Sequence, residues 1–138
     1  MNKINAINPL FLIRLAVATI FLTHSLHGVF NQTVNAFGDS YLNAVGFAPF
    51  GVTIAWAMII FQVFGSILLI LGKFLRFIIP GFCLILITGI VLVHYPAGWY
   101  VVGPGRNGVE FSFVLLVSLL AIFLSGEKAG INQPESQS

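Results

Sequence analysis

Charge is what this sequence has least of. Asp, Glu, Lys and Arg together make up 7% of its 138 residues, while apolar residues make up 58%. A soluble domain carries roughly 25% charged residues, so this chain has too few to clothe a water-facing surface. A lipid bilayer is the solvent that suits it. The six basic residues outnumber the four acidic ones only slightly. Scattered among apolar runs, they form no stripe that could track a phosphate backbone, which argues against a nucleic-acid partner.

Cysteine is nearly absent too. Cys83 stands alone, so no intrachain disulfide and no cysteine-built metal centre can form. There is no glycine-rich phosphate loop, no CxxC pair, no CxxCH haem attachment and no GxSxG nucleophile turn. The length leaves no room for a separate nucleotide-binding domain.

Long apolar runs are what the sequence has in quantity. A membrane-crossing helix needs about 20 mostly apolar residues. Four stretches qualify: 9–30, 50–71, 74–95 and 109–124. Lys3 followed by an apolar run has the look of a secretion signal. However, Thr23-His24-Ser25-Leu26-His27 stands where a small-residue cleavage site would be, so the run reads as a retained first span. Pro9 suits a first helical turn. Gly72 suits a helix stop, and with Lys73 it leaves room only for a tight antiparallel turn between the second and third spans. Pro80 is expected to loosen the third helix.

Orientation follows from the basic residues. With an even number of spans, Lys3, Lys73, Arg76 and Lys128 fall on one side and Arg106 on the other. The side richer in Lys and Arg is the cytoplasmic one. The expected fold is therefore all-α: a four-helix transmembrane bundle, up-down-up-down, both termini cytoplasmic. A cytoplasmic segment (1–8) precedes the membrane domain (9–126), and a polar cytoplasmic tail (127–138) follows it.

Ionisable side chains are costly inside a membrane and call for a partner or a task. Here they are Arg14, His24, His27, His94 and Glu110, with Gln62 as the uncharged polar member. Arg14 lies about 7–8 Å into the first helix from its cytoplasmic start. Its head either snorkels to the cytoplasmic surface or pairs inside the bundle with Gln62, the candidate polar core partner. His24 and His27 are three residues apart and share a helix face. Those two, His94 and Glu110 all fall at the outer ends of their helices, and Arg106 is four residues from Glu110 and close enough to pair with it. This convergence in depth is the most informative feature of the sequence. Three readings of it stand open: a structural cluster in which the groups satisfy one another, a site for a quinone or proton made by His24, His27, His94 and Glu110, and a transition-metal site. The histidine spacing alone is weak support for a metal, and none is assigned.

The order of several short motifs resembles the DoxX family. Arg14-Leu15-Ala16 followed by Phe21 to Phe30 is similar to that family's first helix. Gly65 to Arg76 resembles its apolar run closed by a glycine and a basic turn. Val93-His94-Tyr95-Pro96-Ala97-Gly98-Trp99 resembles its third-helix ending, and Gly108-Val109-Glu110-Phe111 the acidic start of its last helix. The resemblance spans roughly residues 10–126. It implies a bacterial inner-membrane protein with polar positions at Arg14, His24, His94 and Glu110. It also implies an integral membrane subunit of a redox or oxidative-stress system, working with quinone or a thiol or sulfur redox partner inside a protein complex. The alternative is a non-catalytic scaffold or assembly factor, with homo-oligomers compatible with either. If there is enzymatic activity, it would belong to a membrane oxidoreductase complex rather than to this chain alone. Two departures stand out: Gln62 replaces a glutamate common in the family, and His27 and Val29 replace a glutamine and a lysine.

Overall fold

Helix α1 (Pro9–Phe30) begins where its sequence sets it to begin. Asn8 accepts a hydrogen bond from the Leu10 N–H at 2.9 Å, and Pro9 occupies the first turn, where a missing N–H costs nothing. The structure, a computed structural model, describes residues 8–102 and 107–131, with side chains followed as far as Gly126. Lys3, Arg106, the side chain of Lys128 and residues 132–138 lie outside the described residues. Among those described, every regular element is helical.

The link after α1 is itself wound into helix. A short α2 (Val34–Ala36) runs on in wider π-type turns over Phe37–Phe47, broken by a kink at Gly46, whose φ is +111°. Val34 and Leu42 from this segment pack with Ala55 into a small second core. Next come α3 (Gly51–Leu71) and α4 (Leu75–Gly89), the latter continuing through a π turn (Ile90–His94) and a 3-10 turn (Tyr95–Ala97). The last element is α5 (Glu110–Ile131). The helix runs unbroken through Pro80.

The α3–α4 turn is closed by Gly72 at φ +70°, a left-handed conformation that glycine adopts without the penalty of a Cβ. The Gly72 N–H bonds to the Leu69 carbonyl and the Lys73 N–H to that of Leu68, which satisfies two carbonyls at the helix end. Facing pairs give the helix directions. Ser25 meets Gln62 and Gly28 meets Ile59, so α1 and α3 run antiparallel. Gly81 meets Phe61 and Gly65 meets Phe82, so α3 and α4 do as well.

The main core draws Val17, Ala18 and Phe21 from α1, Leu69 from α3, Phe82 and its neighbours from α4, and Leu115, Leu119 and Ile122 from α5. Phe82 is fully buried at the centre, 4.2 Å from the Phe21 ring and 5.3 Å from the Phe61 ring between centroids. The outward faces stay apolar: Phe64, Phe77, Leu84, Val91 and Leu124 are all more than half exposed. Three helices are long and apolar enough to cross a membrane, Pro9–Phe30, Gly51–Leu71 and Leu75–Ala97, and a shorter apolar helix covers Glu110–Gly126. At 1.5 Å per residue the first three are about 32–35 Å long, against a hydrocarbon core of about 30 Å. Four outward hydroxyls are silenced within their own helices. Thr19, Thr23, Ser118 and Ser125 each donate to the carbonyl four residues back, so little polar surface would face lipid.

Candidate functional site

His94 ends the π turn after α4, and the described loop before α5 fixes its ring. Its Nδ1 lies 2.6 Å from the Asn107 carbonyl oxygen. A carbonyl only accepts, so Nδ1 is the donor of this bond, which leaves Nε2 as the ring's other polar atom. That nitrogen lies over Gly89, 4.0 Å from where a Cβ would stand. Gly89 also walls an apolar cleft of about 70 Å³ that includes Phe37, Tyr41, Met58, Leu92 and Val93. His94 thus presents Nε2 beside a greasy cleft.

The other imidazoles are nearby. His24 lies within Coulombic range of both His27 and His94. His27 accepts a hydrogen bond from the Asn31 amide, 3.1 Å from Nδ1, while the same amide donates to the His27 backbone carbonyl at 2.9 Å. The His24 ring makes no hydrogen bond among the described residues and is exposed. The three histidines of the sequence therefore gather at one end of the molecule.

Glu110 is at the same end but performs a different task. Its carboxylate accepts from the Val101 N–H at 2.9 Å. The Glu110 and Val109 N–H groups in turn bond to the Trp99 and Gly98 carbonyls. Glu110 thus clips the loop after α4 to the start of α5, and no hydrogen bond joins it to the histidines. Its expected partner Arg106 lies outside the described residues. Among the described residues, no three of His, Cys, Asp and Glu gather closely enough to hold a metal ion.

Arg14 and Gln62 are not brought together. Gln62 is 5% exposed, and its side-chain carbonyl accepts from the Ser25 hydroxyl at 2.5 Å. The Arg14 guanidinium instead lies against Gly72, ten residues along α3, or about 15 Å away. Its Nε is buried with no hydrogen-bond partner among the described residues.

Three contributors were not singled out from the sequence: Ser25, Asn107 and Tyr41. Tyr41 donates to the Leu92 carbonyl at 2.5 Å. The α-helical donor for that carbonyl would be residue 96, which is a proline without an N–H. Pro96 was thus the available signal that a nearby donor was needed.

Long apolar helices with apolar outward faces and a polar cluster at one end define an α-helical membrane protein. The DoxX family model matches residues 9–95, and the chain belongs to the DoxX family. Neither the comparison with curated proteins nor that with solved structures returned a match.

Proposed function

We propose that this DoxX protein is an inner-membrane subunit of a redox or oxidative-stress system, and that its histidine end engages a quinone. In this reading α5 crosses the bilayer together with α1, α3 and α4. Lys73 and Arg76 mark the cytoplasmic side that also holds both termini, and the histidines face outward. The carrying observation is His94: a ring fixed through Nδ1 by Asn107, with Nε2 beside the apolar cleft of α4 and the Tyr41 helix.

What supports such a group is the chemistry of the imidazoles, with a ring lying against the cleft rather than enclosed in its roughly 70 Å³. A quinone supplies reversible two-electron, two-proton chemistry when bound. The protein's part would be to position the head group and handle protons at the membrane surface. His94 Nε2 can accept a proton and, once protonated, donate a hydrogen bond to a ring oxygen. His24 adds a second imidazole and His27 a third. Flavin, haem or thiol chemistry would come from a partner protein, since this chain carries no motif for it.

The test is titration of the purified chain with a short-chain quinone. The parent binds, and His94→Ala weakens binding about tenfold, the effect of losing roughly 1.4 kcal/mol. Equal affinity in the two proteins, or no binding by the parent, would sink the quinone reading. A second reading, a non-catalytic scaffold or assembly factor, draws support from Glu110 and His27, whose polar groups are already answered within the chain. It predicts that His94→Ala lowers the protein's abundance with no change in quinone response.

A further inference from the structure

At the end of the molecule opposite the histidines, Arg14 walls a cleft of about 160 Å³ between α1, α4 and α5. Asn8, Leu10, Leu75, Ile122, Ser125 and Gly126 complete its lining. At roughly 30 Å³ per water, that is the volume of about five waters, enough for one tetrahedral oxyanion and the start of an ester arm.

Of the polar side chains at the cleft, Arg14 and Asn8 offer donors, and Ser125 offers an acceptor. Arg14 makes no hydrogen bond to any described residue, and its Nε is buried without a partner. Leaving a charged donor unmatched at depth is costly, so something outside the described residues completes it. The Asn8 side-chain oxygen is spent on capping α1, which leaves its amide N–H groups. The Ser125 hydroxyl hydrogen is spent on Ala121. The N-terminus of α4 has no side-chain cap, so the first N–H groups of that helix, at the lining residue Leu75, add partial positive charge. Lys73 and Arg76, near the lining residue Leu75 in sequence, are exposed. The two acidic side chains described, Asp39 and Glu110, are engaged elsewhere, with Asn43 and with the Val101 N–H. A cleft that holds an unmatched guanidinium among Leu10, Leu75 and Ile122 suits a phosphate group whose remaining substituents lie in the membrane surface.

The geometry points to the Arg14 cleft as a binding site for a phosphate-type oxyanion, carried by a phospholipid headgroup or free in solution. The guanidinium grips the phosphate oxygens, and Gly72 is the residue that lets it lie flat against the α3–α4 turn. The site is separate from the histidine end and independent of the quinone reading.

The test uses the full chain, purified in a non-phosphate detergent. Its thermal unfolding is followed with added phosphatidylglycerol, with diacylglycerol of the same tails, and with inorganic phosphate. A saturable rise in Tm with phosphatidylglycerol but not diacylglycerol, lost in Arg14→Gln, is the expected result. A rise with inorganic phosphate as well, also lost in Arg14→Gln, assigns a free-anion site. Should Arg14→Gln fail to fold, Ser125→Phe fills the cleft from α5 and is expected to abolish the same shift. Equal shifts with phosphatidylglycerol and diacylglycerol, shifts that persist in the variants, or no shift at all would overturn the proposal. So would binding that appears only in Glu127→Gln, a change at the residue next in sequence to the lining residue Gly126.

Discussion

Gln62 carries an amide into the middle of an apolar helix, and the cost of placing it there depends on Ser25. In lipid no water is at hand to replace a lost donor. Ser25→Ala should therefore destabilise the chain by about 0.5–2 kcal/mol, the range of interhelical hydrogen bonds in membranes. Adding Gln62→Leu to Ser25→Ala should return most of that loss, because no polar group is then stranded. Thermal unfolding of the single and double variants in detergent checks both outcomes; a double variant less stable than Ser25→Ala would contradict the account. The depth of these residues was legible from the sequence, since counting along each helix places the three histidines and Glu110 near one end. Lateral direction was not legible. A hydropathy run gives no bearing around the helix axis when nearly every position is apolar. Arg14 was therefore matched to Gln62, when the nearest donor across the α1–α3 contact is Ser25 and Arg14 reaches Gly72.

Among the elements, the α3–α4 turn and the end of α4 show how glycine and proline punctuate the chain. Gly72→Ala meets two obstacles, a left-handed backbone and the Arg14 guanidinium at the Cβ position. It should cost at least about 1 kcal/mol. Gly126→Ala, with open space around it, should leave the melting temperature nearly unchanged. At the other end, Tyr41→Phe removes the donor that answers the carbonyl left over by Pro96. It should destabilise by about 0.5–2 kcal/mol and speed hydrogen exchange around Leu92. Unchanged exchange there would contradict that role for Tyr41. Gly72 and Pro9 announce their helix ends in the sequence because each acts through local backbone geometry. The helix from Val34 to Phe47 does not announce itself. Its winding depends on the second core with Ala55 and on Asn43, whose side-chain carbonyl accepts from the Gly51 N–H at 2.9 Å. Those are tertiary contacts that a polar-looking link conceals.

For the molecule as a whole, scarcity of charge fixes the solvent, and the solvent fixes the helical fold: backbone groups in lipid must bond within their own segment. The family match over residues 9–95 covers α1 through the π turn, so α5 is tied to the rest by packing, through Leu115, Leu119 and Ile122. The separation of the two polar ends is the central claim, with imidazoles at one membrane face and Arg14, Lys73 and Arg76 at the other. Labelling with a membrane-impermeant thiol reagent tests it most directly. In a Cys83→Ala background, Asn35→Cys and Tyr100→Cys should react in intact expressing cells, and Lys73→Cys only after the membrane is opened. Reaction of Lys73→Cys in intact cells, or equal reaction of all three, would contradict the arrangement.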